Sequence, residues 1–356
     1  MARRLFLHDA HVVGGAKVET LGEWERPVSY GDAAAEHAAV RRAAGAIDRG
    51  DAGVLEVTGR DRATFLNALV SNDVTSLAPE QGCAAALLDI HGKVQLLLAI
   101  LAREDRILLL LPPDTSAAAM DMFDKYLFAE KAVFADVTEA RAATMLAGPA
   151  APAVIARLTG VDPPVRAWDS LAARVVGTEA LLVSGGGETG EREAWILTAR
   201  EAAATVWSAA LAAGARPVGW TARESLRIET GTPLFGVDVD GSVLLPELPT
   251  ERLVSDTKGC YPGQEVVVRI RDRGHVNRHF RGLTIDATVV PPCGAVIEVD
   301  GAPVGAVSSA TRSIGLDHPL ALGFVRRQHA APGTRVLVQA GAAALPASIA
   351  ALPFAR

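Results

Sequence analysis

Three strand-like runs, Ala84–Leu88, Val94–Ala102 and Ile107–Leu111, lie so close together in the chain that only one way of pairing them is open. They are separated by a turn at His91-Gly92 and a turn at Arg103–Arg106. Parallel neighbours need a crossover of a dozen or more residues, so these strands form antiparallel hairpins. Pro112-Pro113-Asp114 then breaks the sheet, and Met120, Phe123 and Leu127 recur at helical spacing through Ser116–Phe128. The segment "AVFADV" returns as a strand.

These runs belong to a longer order of elements, and a comparable arrangement appears a second time downstream. Upstream, residues 1–30 read as irregular. Asp32 caps a helix over "AAAEHAAVRRAAG", "GVLEVTG" alternates as a strand, and Asp61 opens a helix with Phe65, Leu66, Leu69 and Val70 on one face, ended by the turn Ser71–Asp73. Downstream, "ATMLAGP" reads as a strand and "AAPAVIARLTG" as a helix. "EALLVSG" and "EAWILTA" pair around Gly185–Gly190, and Glu201–Ala213 is a helix followed by "PVGW" as a strand. "ARESLRIETG" is a further helix, ended by Gly231. Hairpins interspersed with helices give α+β layers and not a doubly wound sheet. After Arg281, short alternating runs punctuated by Asp300-Gly301 and Pro332-Gly333 predict an all-β closing domain, a small barrel. The expected divisions are 1–145, 146–277 and 278–356.

Composition narrows the class. The formal net charge of −6 argues against a body built to coat nucleic acid or an anionic membrane. The longest apolar run, Val94–Ala102, suits a buried strand and is too short to span a bilayer. His8 and Asp9 interrupt the apolar stretch at the N-terminus, which does not read as a signal peptide. Three cysteines without close pairing point to a reducing compartment, so a soluble cytoplasmic protein is expected.

Chemistry concentrates in Lys258-Gly259-Cys260-Tyr261-Pro262-Gly263-Gln264-Glu265, where a thiol, an ammonium, a phenol, an amide and a carboxylate share a tightly turned stretch. Cys260 is the cysteine with ionisable neighbours: Lys258 precedes it, and Arg269, Arg271, Arg273 and His275 follow. Cations favour thiolate, the nucleophilic and metal-binding form. Cys83 and Cys293 read as structural, and no CxxC or HxxxH spacing supports a metal site within the chain. There is no nucleophile-elbow pattern, although His275 is a possible base. The segment Arg269–Arg281 reads as an exposed strand and connector, with an anion site as the functional alternative and at most weak contact with nucleic acid. In "LRIETG", Arg227 and Glu229 read as a solvated pair. "GGGETGE" (Gly185–Glu191) lacks the GKS/T ending of a nucleotide P-loop.

Taken together, "RPVSYGD…EHAAVRRAAGAID" (Arg26 to Asp48), "VTGRDRATFLNALVSND" (Val57–Asp73), "ARESLRIETGTPLFGVDVD" (Ala222–Asp240), "LPEL" (Leu245–Leu248) and "KGCYPGQE" resemble, in that order, the glycine-cleavage T-protein superfamily. The last string resembles the signature of its YgfZ branch, folate-binding proteins that support iron–sulfur cluster enzymes and are often described as tRNA-modifying. The resemblance implies two α+β subdomains around a folate-binding cleft plus a C-terminal β-barrel, with tetrahydrofolate or a one-carbon derivative as ligand. By motif position it implies folate contact for Arg227 and Glu191. The catalytic candidates are Cys260 and Lys258, and Tyr261, Gln264 and Glu265 orient the ligand or brace the loop.

One departure separates the chain from its transferase relatives. Aminomethyl-transferring T-proteins carry acidic residues in the strand after a Gly-Gly turn, whereas the equivalent run here is His91-Gly92-Lys93-Val94-Gln95-Leu96. With Gln95 and Leu96 where the acids belong, general acid–base chemistry lacks an agent there. The expected role is therefore a tetrahydrofolate-binding accessory protein for assembly or repair of iron–sulfur enzymes, acting on those clients or their assembly factors, with Cys260 as the functional thiol and without conventional turnover. The alternative is a folate-dependent aminomethyl or methyl transferase.

Overall fold

A computed structural model describes residues 2–355 of the 356-residue chain. The chain forms two compact units: Met1–Leu87, Leu96–Arg223 and Arg252–Tyr261 make the first, and Leu88–Gln95, Glu224–Glu251 and Pro262–Arg356 the second.

The hairpins read from the sequence are present. A five-stranded sheet runs in the order Gly82–Leu88, Val94–Ala102, Ile107–Leu111, Gly53–Thr58, Val133–Asp136. Val94–Ala102 pairs antiparallel with Ile107–Leu111, Ala99 opposite Leu110, because four turn residues allow no other connection. The helix Arg62–Leu69 contributes Phe65, and Ser116–Asp124 contributes Phe123, to an aromatic cluster on Phe134, with centroids 5.7 and 4.9 Å apart. Ser116–Asp124 stops four residues short of the expected end.

A six-stranded sheet follows the order Ser170–Val175, Thr178–Ser184, Glu193–Ala199, Arg141–Ala147, Gly45–Asp48, Arg216–Pro217. Helices Ala151–Thr159 and Ala203–Ala212 bury Val154, Ile155, Val206 and Trp207 on it. Gly45–Asp48 lies far upstream of its neighbours yet pairs antiparallel with Arg141–Ala147 and parallel with Arg216–Pro217. Its inclusion places the residues flanking Asp48 against the 185–193 hairpin loop.

Residues 1–30 are not irregular: they hold a helix, His8–Val13, and a sheet of Arg3–Arg4, Trp24–Ser29 and Lys17–Leu21. These pieces are too short for a periodic signal, and they are fixed by distant partners. His11, buried, sits between the Asp48 carboxylate and the Tyr30 hydroxyl, each at 2.8 Å.

In the second unit, six strands close a barrel in the order Arg278–Ile285, Pro319–Arg326, Ala302–Arg312, Val296–Val299, Arg335–Ala340, Ala343–Ala350. Leu283, Ile297, Val325 and Val338 fill it. Of the stretch Arg269–Arg281, expected as a strand and connector, residues 269–273 instead end a helix, Gln264–Arg273, which stops at Gly274, while Arg278–Arg281 begin the strand Arg278–Ile285. Val266, Val267 and Ile270 recur at helical spacing there, and an alternating arginine pattern at 269, 271 and 273 masked that period. No helix among the described residues is long and apolar enough to cross a membrane.

Candidate functional site

The chemistry-bearing motif divides between the two units. In the first, the turn Ser71–Asp73 after the helix Arg62–Leu69 anchors the approach to Cys260. Ser71 Oγ donates to Leu253 O at 2.6 Å, Ser255 N donates to Ser71 O at 3.1 Å, and Asn72 Nδ2 donates to Arg252 O at 3.2 Å. Lys258 then reaches back to the same helix end, its Nζ donating to the carbonyls of Asn67 and Val70. Those are groups that a helix C-terminus leaves unpaired, and a cation there also complements the helix dipole. The ammonium stands 4.8 Å from the centroid of the buried Tyr261 ring. Burial pushes the Lys258 pKa down to about 8, against the opposing pull of Asp73.

Cys260 is exposed and free. Cys83, also free, is half-buried in the strand Gly82–Leu88, and burial pushes its thiol up to about 12, so it stays protonated. Cys293, expected as structural, is exposed and donates to Ser308 O at 3.1 Å.

In the second unit the motif continues as Gly263, at φ 76°, followed by Gln264 and Glu265 in the first turn of the helix Gln264–Arg273. Gly263 has no free space beside its backbone: Asp89 O and the turn at Gly92 fill it. That turn is the one preceding Gln95. Asp89 Oδ1 accepts from His91 N at 2.8 Å and Lys93 N at 2.9 Å, and Val94 N donates to Val243 O at 2.9 Å. Gln95 is half-buried and bonds Lys93 O, and in the first unit Leu96 is fully buried. The strand Val94–Ala102 carries no carboxylate at all.

Arg227 and Glu229 are buried, not solvated, and each has its own partners. Arg227 Nε donates to Glu224 at 2.9 Å, while Nη1 donates to Thr232 O at 2.8 Å and to Asp238 Oδ2 at 2.9 Å. Asp238 also accepts from Leu234 N and from the hydroxyls of Ser308 and Ser309. Glu229 Oε1 accepts from Ser225 and Ser313 at 2.7 Å and from Gly315 N at 3.0 Å.

Glu191 lies in the first unit on the 185–193 loop. This loop has backbone N–H groups facing inward, as an anion cradle would, but its own Glu193 occupies them: Gly187 N and Glu188 N donate to Oε2 at 3.0 Å, and Thr189 N donates to Oε1. Burial, and then Glu188, raise the Glu193 pKa. Arg41 holds Glu191 at 3.0 Å and Thr189 O at 2.8 Å. Around this loop lies a network that the sequence reading missed. Glu188 bridges Arg49 (2.7 Å) and Arg223 (2.6 Å), while Asp51 pairs with Arg26. Arg49 stacks 4.5 Å above Trp195, and Arg26 and Arg223 lie 4.8 and 4.9 Å from Trp220. Burial works to raise the Asp51 carboxyl, but Arg49, Arg26 and Arg223 outweigh it and hold it below the ordinary carboxylate range. The arginines are scattered from 26 to 223 in sequence, so no spacing exposes them; the tryptophans beside three of them were the available signal.

Among the described residues no group of three or more His, Cys, Asp or Glu is placed to hold a metal ion.

Comparison with known proteins adds a family assignment. Residues 7–258 match the GCVT N-terminal domain, and residues 278–355 match the glycine cleavage T-protein C-terminal barrel domain. Among curated relatives, the aminomethyltransferase of Frankia alni is 33% identical, covering 99% of this chain and 97% of its own. That of Geobacillus kaustophilus is 32% identical, covering 100% and 99%. The crystal structure of the glycine cleavage system aminomethyltransferase T from Bartonella henselae superposes with a TM-score of 0.91 over 100% of this chain and 98% of that one, at 23% identity, and shares the fold.

Proposed function

The chain belongs to the glycine cleavage T-protein family, and from that premise we propose that it is a tetrahydrofolate-binding protein whose role rests on the Cys260 thiol. What supports this is a substitution of chemistry. The strand after the His91-Gly92 turn offers a half-buried amide, Gln95, and a fully buried alkyl group, Leu96, but no carboxylate, while Cys260 stands exposed on a braced loop. An exposed thiol can ligate iron transiently or exchange with disulfides, which fits an accessory role toward iron–sulfur enzymes.

The donor set fits a folate. Glu191 carries a partly exposed carboxylate fixed by Arg41, and a carboxylate complements the amino and ring N–H edge of a pterin. Arg227 has no exposed surface, so its contribution is to hold residues 232–238 through Thr232 O and Asp238. Bound tetrahydrofolate would supply a carrier for a one-carbon unit. Tyr261, Gln264 and Glu265 brace or orient, and Lys258 fixes the Cys260 loop to a helix end.

Calorimetry with tetrahydrofolate tests the first part: binding is expected for wild type and weakened in Glu191→Ala, and no heat from wild type refutes it. Complementation of a deletion strain by wild type but not by Cys260→Ala, with iron–sulfur enzyme activities assayed under oxidative stress, tests the second. Rescue by Cys260→Ala would refute the thiol's role.

A second reading is favoured by the relatives, which are named aminomethyltransferases and match over the full chain. On that reading the protein moves the carbon of an aminomethyl group held on a carrier thiol (S–CH2–NH2) to tetrahydrofolate, breaking the C–S and C–N bonds and releasing the free thiol and ammonia. Formation of methylene-tetrahydrofolate by the purified protein, lost in Glu191→Ala, would establish it over the accessory role.

A further inference from the structure

The Gly-rich loop 185–193 carries two inward-facing carboxylates, and they hold different things. Glu193 holds the loop's own backbone, accepting from Gly187 N, Glu188 N and Thr189 N. Glu188 reaches away from the loop and spans two arginines brought from other elements. Its Oε2 accepts from Arg49 Nη1 at 2.7 Å, and its Oε1 from Arg223 Nε at 2.6 Å. Arg49 follows the strand Gly45–Asp48, and Arg223 lies in the helix Trp220–Thr230.

Both guanidiniums are oriented independently of Glu188. Each is buried and lies over an indole, Arg49 at 4.5 Å from the Trp195 centroid and Arg223 at 4.9 Å from that of Trp220. Stacking sets the plane of a guanidinium before any anion reaches it. Among the described residues Arg49 Nε is buried without a hydrogen-bond partner, so a donor stays unused while Glu188 is in place. The nearest Asp51 oxygen stands 3.5 Å from it. Asp51 pairs with Arg26, and Arg49, Arg26 and Arg223 together keep its carboxylate ionised.

Glu188 is the least enclosed member of this group, its side chain 13% exposed against 1% for Asp51. Gly185, Gly186 and Gly187 precede it. Because Glu193 holds the loop N–H groups, the Glu188 side chain can rotate out without the backbone losing those bonds. Its departure also takes away a negative charge that acts on the Glu193 carboxyl.

We propose that Arg49 and Arg223 form a binding site for the carboxylate of a ligand, and that Glu188 is an internal stand-in which the ligand displaces. The occupant identifies the chemistry. Two fixed donors on separate side chains, each meeting one oxygen of the same planar group, hold a monocarboxylate. A phosphate dianion is disfavoured, since its second charge would lie close to the ionised Asp51. A free small acid and the glutamyl tail of a folate both carry the required group. The site itself does not rest on the folate reading.

Sodium acetate, p-aminobenzoyl-glutamate (a folate tail without its pterin) and inorganic phosphate, titrated into the full-length protein at matched ionic strength, test this by calorimetry and thermal melting. Glu188→Ala is expected to bind acetate about tenfold or more tightly than wild type, because an internal competitor lowers apparent affinity by the fraction of molecules with an open site. Acetate is also expected to raise the melting temperature of Glu188→Ala more than that of wild type. Adding Arg49→Gln to Glu188→Ala is expected to abolish both effects, with folding checked by circular dichroism. Glu188→Gln, which keeps the shape and removes the charge, is the second variant and is also expected to bind acetate more tightly than wild type. Tail fragment binding more tightly than acetate assigns the site to a folate, and equal or weaker binding assigns it to a separate acid; either supports the site. Equal acetate affinity in wild type and both Glu188 variants, binding that survives Arg49→Gln, or preference for phosphate over acetate would each overturn the proposal.

Discussion

Gly263 and Gly92 pack backbone against backbone within the second unit: a β-carbon on Gly263 would stand 2.9 Å from both the Cα and the N of Gly92. Both residues have left-handed backbones, at φ 76° and 77°. The reactive-looking motif and the turn that precedes the missing carboxylates are thus joined through two glycines. By contrast Gly259, in the same motif, has nothing within 4 Å of its would-be β-carbon and no positive φ.

Gly263→Ala is therefore expected to destabilise the protein by at least about 2 kcal/mol, combining the left-handed backbone penalty with overlap on a rigid backbone. Gly259→Ala is expected to be neutral within about 0.5 kcal/mol. Urea denaturation of both variants distinguishes them, and equal stability would refute the close packing.

Lys258 links the Cys260 loop to the end of the helix Arg62–Leu69, so Lys258→Met is expected to cost about 2–3 kcal/mol by leaving two helix carbonyls without their donor. The cost has a pH signature. The folded-state pKa, about 8, lies below the ordinary 10.5, so between those values the unfolded chain binds more protons and wild-type stability rises with pH. Lys258→Met lacks that rise. Parallel curves for the two proteins from pH 8 to 10.5 would contradict the burial of the ammonium.

Arg227 and Asp238 form a fully buried ion pair. Either Arg227→Met or Asp238→Asn alone is expected to cost about 3–5 kcal/mol, since each strands a charged or strongly polar partner. The double variant is expected to cost clearly less than the sum, measured as a coupling in a denaturation cycle. Additive losses would show that the pair acts through its other partners.

The three thiols differ in reach: Cys260 and Cys293 are exposed and Cys83 is half-buried. Iodoacetamide at pH 8 is expected to modify Cys260 and Cys293 in the native protein and to spare Cys83, which burial keeps protonated up to about pH 12. Peptide mass mapping of the alkylated protein reads this directly. Modification of Cys83 at the rate of the other two would overturn it.

Installing acids separates tolerance from chemistry. Gln95→Asp, at a half-buried position, is expected to fold with a loss under about 1 kcal/mol, whereas Leu96→Asp places a carboxylate in a fully buried site and is expected to cost more than about 3 kcal/mol. Thermal melts of the two variants provide the comparison.

The hairpins at Val94–Ala102 and Ile107–Leu111, the helix face of Phe65, Leu66 and Leu69, and the closing β-domain were legible from sequence because each depends on near neighbours and on periodicity. The helix Gln264–Arg273 was misread because alternate arginines imitate a strand, although its apolar residues keep helical spacing. The N-terminal strands were missed because two to six residues carry too little pattern. By itself, the sequence determined the α+β class, the T-protein resemblance and the absence of a carboxylate at Gln95 and Leu96, all of which are properties of residue identity and order. Only the tertiary structure decided that Arg227 is enclosed by Glu224 and Asp238, that Glu193 fills its own loop, and that Glu188 bridges Arg49 and Arg223. Whether a charged side chain is solvated, paired or stranded depends on which distant groups burial brings beside it, and that information is absent from local spacing.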